Sequence, residues 1–349
     1  MRLGVNLGYW GAGNDAENLD LAREADTLGY AVAWAAEAYG SDAATVLAWV
    51  AAQTRTIDVG SAIFQIPGRT PALTAMTAAT LDNLSGGRFR LGLGVSGPQV
   101  SEGWHGVRFD RPLARTREYV DIVKLALSRR KVAYDGEFFT LPLPDGPGKA
   151  LVLTVHPTRP NIPIYLAAIG PKNLELTGEI ADGWLAIFFA PESAGEHLTH
   201  IAAGRAKVGR TMEGFDVVPT VPVVIGEDVA ACADAVRAYG ALYIGGMGSR
   251  DKNFYNQLAV RMGYEAEAAD VQEKYLARDY EGAAAAVPFE FIDRTSLLGP
   301  RERIQERLQA YADAGVTTLT VATYAATLDE RLATLRTMAE VLEASGLGD

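Results

Sequence analysis

A chain can hold an anion where a short apolar strand turns into a helix, and residues 164–180 have that form. Ile164-Tyr165-Leu166-Ala167-Ala168-Ile169 reads as a strand. Gly170-Pro171-Lys172-Asn173 reads as a tight turn, and Leu174 to Ile180 has helical periodicity. Pro171 suits a first helical turn because the N–H it lacks would be unpaired there anyway. The N–H groups that follow point out of the helix start, where the dipole and Lys172 favour a phosphate. The same four residues would also serve as a plain strand-to-helix connection, so their surroundings have to decide.

Those surroundings are the residues that follow other apolar runs. Asn6, Tyr9 and Trp10 follow the first run. Glu37, Tyr39, Ser41 and Asp42 follow the second, and Ser61-Ala62-Ile63-Phe64-Gln65 ends the third. Gly94-Val95-Ser96-Gly97-Pro98-Gln99 ends the fourth, and Phe188-Phe189 a later one. The set is aromatic, glycine-rich and sparsely charged. It suits a large flat ring with a phosphate at one end, and it lacks the acid–histidine sets of hydrolases. Glu37, Tyr39 and His105 are the candidate proton donors. Glu37 could instead be a hydrogen-bonding anchor, and His105 a structural residue. His197 and His200 share one helical face at a spacing that allows metal ligation, but no third ligand is evident and no metal is expected. The Gly245-Gly246-Met247-Gly248 run reads as a hinge or turn more than as a phosphate cradle.

The elements that must position these residues follow a repeated pattern. Ala22–Gly29 leads into Tyr30–Ala35, Leu176–Gly183 into Trp184–Phe188, and Leu308–Gly315 into Val316–Val321. Each is an amphipathic helix closed by glycine, the residue that accepts the left-handed position after a helix. Each then enters a continuous apolar or β-branched run, as strands buried on both faces do in parallel sheets. Eight strands are expected near 3–8, 31–36, 57–64, 88–94, 162–168, 183–188, 216–225 and 316–322. Helices are expected near 16–28, 43–54, 71–84, 112–129, 172–181, 192–207, 229–239 and 327–344. Alternation of this kind predicts an α/β fold, a single (β/α)8 TIM barrel over residues 1–349. Insertions follow strands four and seven, at about 129–161 and 226–315. The first contains an expected hairpin at Lys131–Thr140 with an Asp135-Gly136 turn. In this fold the strand C-termini carry the active site, which is where the candidate residues fall.

Composition narrows the partners. The chain has 349 residues, 48% hydrophobic and 21% charged, with a net charge of −11. That balance argues against nucleic-acid backbones and anionic membranes, which need a positive field. Cys232 is the only cysteine, so there is no intrachain disulfide, and it reads as a small core residue. The chain opens directly on Leu3–Gly8 with no signal-like segment, and no apolar run reaches membrane-spanning length. The expectation is a soluble, cytoplasmic protein acting on a small molecule.

Several runs resemble the luciferase-like superfamily of flavin and deazaflavin oxidoreductases, and more closely its branch that uses coenzyme F420. They are Ala36–Asp42, Gly60-Ser61-Ala62-Ile63, Leu84–Gly97, and Ile164–Pro171 with Ala181-Asp182-Gly183-Trp184. The Ser85-Gly86-Gly87-Arg88-Phe89 segment, continuing to Gly94, is the most specific. The resemblance spans nearly the whole chain and implies a (β/α)8 barrel that is usually a homodimer. It implies that the deazaflavin ring packs on strand three, where the family has a bulge with a non-proline cis peptide, here Ala62–Ile63. It implies that Ser96, Gly97, Pro98 and Gln99 edge the pyrimidine side of the ring. Gly170, Pro171, Lys172 and Asn173 take the phosphate end, with Asn6 and Glu37 among the cofactor contacts. Several F420-using members carry a histidine just after strand two, and the matching position here is Ala38. That departure points away from alcohol oxidation and toward hydride transfer to an activated alkene, imine or quinone. The expected function is an F420-dependent oxidoreductase. The alternatives are an FMN-dependent monooxygenase and a non-catalytic deazaflavin- or flavin-binding protein.

Overall fold

The computed structural model describes residues 1–10 and 15–348. Eight parallel strands close into a barrel: β1 (Arg2–Asn6), β2 (Val32–Ala35), β3 (Asp58–Ser61), β4 (Phe89–Gly94), β5 (Ile164–Ala167), β6 (Gly183–Ile187), β7 (Asp216–Ile225) and β8 (Thr318–Thr323). Each pairs with the next, and β8 returns to β1 with Arg2 opposite Thr318. The expected eight-stranded barrel is therefore the architecture. No helix among the described residues is long and apolar enough to cross a membrane.

The barrel is filled, not hollow. Val32, Trp34, Tyr165 and Val218 form its inner cluster, with Ala62 and Leu185 packed against it. The Trp34 and Tyr165 rings meet edge to face at 5.3 Å. At the N-terminal ends of the strands lies a polar floor. Arg90 Nε donates to Asp58 at 2.8 Å, and its Nη1 donates to Asp216 at 3.3 Å and to the Tyr165 hydroxyl at 3.2 Å. Tyr165 donates to Asp216 at 2.9 Å, and Thr318 donates to the other oxygen of that carboxylate. Arg90 and Asp216 are both buried. Burial disfavours the Arg90 charge, but Tyr165, Asp58 and Asp216 outweigh it and hold the guanidinium firmly protonated. A buried ion pair persists only when its remaining groups are also satisfied, as they are here.

Gly29 and Gly315 take the left-handed backbone expected after their helices (φ 78° and 86°). Gly183 does not. The helix before it ends at Ile180 with an extended Ala181, and Gly183 is already the first residue of β6. It is glycine for space, because a Cβ there would lie 2.4 Å from the Tyr165 ring.

Two further expectations are corrected. The hairpin pairs Tyr134–Asp135 with Thr140–Leu141, but its connection is the four residues 136–139 and not a two-residue Asp-Gly turn. The Glu118 carboxylate accepts the N–H groups of Glu137, Phe138 and Phe139 at 2.8–3.1 Å and holds that wider loop. The second insertion ends near residue 296, not 315. Leu297–Gly299 pairs with the far end of β7, and helix Arg301–Asp313 is the seventh barrel helix, burying Ile304, Leu308 and Tyr311. Helix Val229–Ala241 lies within the insertion, as the expected bounds had it. With Phe254–Arg261, Glu265–Leu276, Tyr280–Ala286 and Phe289–Arg294 it forms a second hydrophobic cluster that includes Phe188 from the end of β6.

Candidate active site at the barrel mouth

The chain around β3 sets the floor of the mouth. Expected strand 57–64 is broken into β3 and a short strand, Phe64–Gln65, by a cis peptide at Ala62–Ile63. Phe64–Gln65 then pairs with the end of β4. Gln65 is 2% exposed and joins three strand ends. Its Nε2 donates to the Ala38 carbonyl after β2, and its Oε1 accepts from Ser96 Oγ after β4 at 2.9 Å. Ser96 (φ 61°) and Phe188 (φ 50°) hold left-handed backbones, a costly choice for non-glycine residues that clusters at functional sites. Gly97 caps the short helix Pro98–Gly103, and Gln99 is exposed. The Asn6 side chain is turned back on its own loop, accepting the Gly8 N–H at 2.9 Å.

Glu37 is committed to holding this floor together. Its carboxylate accepts from Arg69 Nη2 at 2.9 Å, Ala43 N at 3.1 Å and Gln65 N at 3.4 Å. Arg69 also bonds Asp42, which caps helix Ala43–Gln53 by accepting from Thr45 N at 2.8 Å. Burial alone would lower the Arg69 pKa, yet the two carboxylates raise it. Burial would likewise raise Asp42, and the Thr45 donors with Arg69 leave it lowered. Tyr39 stands 63% exposed. His105 packs over Gly68 in the turn after Phe64–Gln65, and its Nε2 is buried with no hydrogen-bond partner among the described residues. Of the three sequence-named proton donors, Glu37 is the one whose hydrogen bonds give it an anchoring role.

The opposite end of the mouth is basic. Gly170 caps helix Pro171–Ile180, and the Asn173 and Leu174 N–H groups both return to the Gly170 carbonyl at 2.9 Å. Lys172 stays exposed at that helix start. Arg261, from the insertion, reaches the Ile169 carbonyl at 3.5 Å. Trp184 Nε1 donates to the Ala168 carbonyl at 2.9 Å, and His197 lies against the Trp184 ring at 5.6 Å. Burial lowers the His197 pKa, and Arg261 pushes the same way, against Glu196. His197 is thus ring packing. Among the described residues no group of three or more His, Cys, Asp or Glu is arranged to hold a metal. Helix Pro171–Ile180 is fixed against Ala194–Lys207 by close backbone contact: a Cβ on Gly204 would lie 1.8 Å from the Glu175 carbonyl oxygen, and one on Gly178 2.0 Å from that of Ile201.

A third feature escapes the sequence reading. Phenol side chains from separate parts of the chain gather over the mouth beside Phe188. Tyr239 and Tyr243 approach Phe188 at 5.3 and 5.7 Å, Tyr255 lies 4.8 Å from Tyr243, and Tyr324, just after β8, lies 5.5 Å from Tyr239. The turn Leu242–Gly246 that carries Tyr243 is π-helical, so the Gly245-Gly246-Met247-Gly248 run starts inside a helical turn and not in an open loop. π-Turns frequently mark functional sites. Arg261, Tyr239, Tyr243 and Tyr255 had no readable signal, because they lie in an insertion with no strand to place them.

The model of the luciferase-like monooxygenase family matches residues 6–318. Over 92% of this chain and 94% of the other, 43% of residues are identical to a Mycobacterium tuberculosis protein named "Putative coenzyme F420-dependent oxidoreductase". The 5,10-methylenetetrahydromethanopterin reductase of Archaeoglobus fulgidus is 30% identical over 84% of this chain and 85% of its own. Among solved structures, the coenzyme F420-dependent tetrahydromethanopterin reductase of Methanopyrus kandleri superposes with a TM-score of 0.82 at 23% identity, covering 97% of both chains. At that identity the match speaks for the fold.

Proposed function

The chain belongs to the luciferase-like monooxygenase family, and on that premise we propose that it is an F420-dependent oxidoreductase exchanging a hydride between the deazaflavin and a small organic substrate. The observation that carries the reading is a mouth with a basic helix start and a floor broken at Ala62–Ile63. Gly170, Lys172 and Arg261 make the first, and the cis peptide after β3 makes the second. A phosphate on a long flat cofactor fits the first, and its ring fits the Ala62–Ile63 floor. The name of the Mycobacterium tuberculosis relative supports the choice of F420.

The group fits the donor set present. The Lys172 N–H and ammonium and the Arg261 guanidinium would meet the phosphate, while Ser96 and the backbone of 62–63 would meet the ring. When bound, F420 supplies the hydride chemistry. The protein's part is to orient the ring and exclude water. The Glu37–Arg69–Asp42 set and Gln65 keep the floor in place for this.

The chain is read as one barrel domain with two insertions and as a homodimer. Exposed Trp49, Leu73 and Met76 on helices Ala43–Gln53 and Pro71–Leu84 supply an apolar face for the partner copy, and sedimentation of the purified protein tests it. Titration with F420 and with FMN, followed by intrinsic tryptophan fluorescence, tests the cofactor. Tight F420 binding with weak FMN binding is expected, and the reverse would favour an FMN-dependent monooxygenase. F420 binding without oxidation of the reduced cofactor by any acceptor would favour a carrier.

A further inference from the structure

One amide, on Gln65, fixes where a proton points at the barrel mouth. Gln65 is buried. Its backbone pairs with β4 opposite Gly94, and its N–H reaches the Glu37 carboxylate at 3.4 Å. The side chain is thereby held with its two ends against two different loops. One end meets the Ala38 carbonyl, and the other meets Ser96 Oγ at 2.9 Å. A carbonyl oxygen can only accept, so the amide nitrogen faces Ala38. The amide oxygen then faces Ser96, and it too can only accept. The Ser96 hydroxyl therefore donates to Gln65. The reverse amide would set oxygen against oxygen at Ala38 and leave both short of a donor.

A hydroxyl has one proton and two lone pairs. With its proton given to Gln65, Ser96 has only lone pairs for anything else that meets it. Among the described residues no other side-chain hydrogen bond engages this hydroxyl. Ser96 is partly exposed at the end of β4, and its left-handed backbone (φ 61°) persists only because its surroundings hold it.

Resting on the reading above, in which Ser96 meets the cofactor ring, we propose that Gln65 sets the polarity of the ring site. By taking the Ser96 proton it makes Ser96 an acceptor, which selects an N–H on the edge of the ring. The pyrimidine edge of a flavin or deazaflavin carries one N–H, between two carbonyls. A ring displaced along that edge would bring a carbonyl against the Ser96 lone pairs, two acceptors face to face. Gln65 is thus a positioning residue: it acts through Ser96 and fixes where along its edge the ring comes to rest.

Fluorescence titration of the full-length protein tests this with two probes, F420 and F420 methylated on that ring nitrogen. The methylated ring should bind about tenfold more weakly, having lost its hydrogen bond and left the Ser96 acceptor unpaired. Ser96→Ala should weaken F420 about three- to tenfold, the loss of one net hydrogen bond, without weakening the methylated ring. Gln65→Met cannot accept the Ser96 proton, which is then free to turn toward the ring N–H. It should weaken F420 to a similar degree and spare the methylated ring. Gln65→Glu separates polarity from anchoring. Ionised or protonated, its carboxyl still presents an oxygen to Ser96, so F420 affinity should stay within about twofold of wild type.

A purely structural Gln65 predicts something else: lower melting temperatures in Gln65→Met and Gln65→Glu alike, and equal losses for both rings. Equal binding of the two rings by the wild type, equal losses for both in Ser96→Ala, or F420 affinity as low in Gln65→Glu as in Gln65→Met overturns the proposal. If Gln65→Met does not fold, Ser96→Ala and Gln65→Glu still decide. If FMN binds and F420 does not, the F420 reading falls. FMN and its N-methyl counterpart, whose ring has the same edge, then run the same comparison. If neither ring binds, both fall.

Discussion

Replacing Glu37 by glutamine separates an anchor from an acid. The side chain is 10% exposed and takes hydrogen bonds from Arg69, Ala43 N and Gln65 N. Glutamine keeps the shape but removes the charge, leaving the Arg69 guanidinium with Asp42. A hydrogen bond to a charged group is worth about 1.5–3 kcal/mol net, and the amide oxygen retains part of it, so a loss of about 2 kcal/mol is expected. At roughly 2.1 cal/mol/K per residue over a chain of this length, that lowers the melting temperature by about 3 °C. Arg69→Met in the same background should cost less than it does alone, because the two changes remove one interaction. Calorimetric melting of both single variants and the double variant measures the coupling. Steady-state turnover at saturating cofactor should stay near wild type. A fall of about 10²–10⁴-fold in turnover with an unchanged melting temperature would refute the anchoring role and restore Glu37 as proton donor.

Lys172→Glu and Arg261→Glu should each weaken F420 binding in fluorescence titrations without shifting thermal unfolding, since both reverse a charge at the helix start proposed for the phosphate. Gly204→Ala should destabilise by about 1–3 kcal/mol or more in urea unfolding, because its Cβ would sit 1.8 Å from the Glu175 carbonyl oxygen. Arg90→Met should cost about 3–5 kcal/mol by leaving the buried Asp216 carboxylate short of a partner. Asp26 accepts from Arg55 N, Thr56 N, Thr56 Oγ1 and Ile57 N at 2.6–2.8 Å. Burial raises its pKa, but these donors win and leave it below the ordinary 3.8. Its stabilisation is therefore present above the unfolded-chain value and lost as pH falls through the folded one. Asp26→Asn should weaken the protein at about pH 7 and flatten the loss of stability below about pH 4, read by urea unfolding across that range.

Strand-by-strand, the barrel was legible because β-branched runs and glycine-closed helices repeat with the period of a βα unit. Limits came where one residue type serves two purposes. Gly183 looks like a helix stop and is a spacing residue beneath Tyr165. The Asp135-Gly136 pair looks like a tight turn, but the Glu118 carboxylate, seventeen or more positions away, holds a wider loop. The seventh barrel helix, Arg301–Asp313, was absorbed into the expected insertion because it is rich in charge and shows only a thin apolar stripe. Within the site, the Gly170 turn could be named because local sequence dictates it, and the Ala62–Ile63 break because the family resemblance implied it. Gln65 was visible only as a strand end, since its function is to reach Ala38 and Ser96 across the fold. The tyrosine wall depends on how an insertion folds back, which no local pattern encodes.

The Arg90 floor turns the barrel into a cup. With its lower end plugged by Asp58, Asp216, Tyr165 and Thr318 around one guanidinium, there is a single rim for every arrival and departure. A cofactor ring lying on Ala62–Ile63 and any substrate would share that rim, and a tight ligand held nearer the rim would keep the cofactor from leaving.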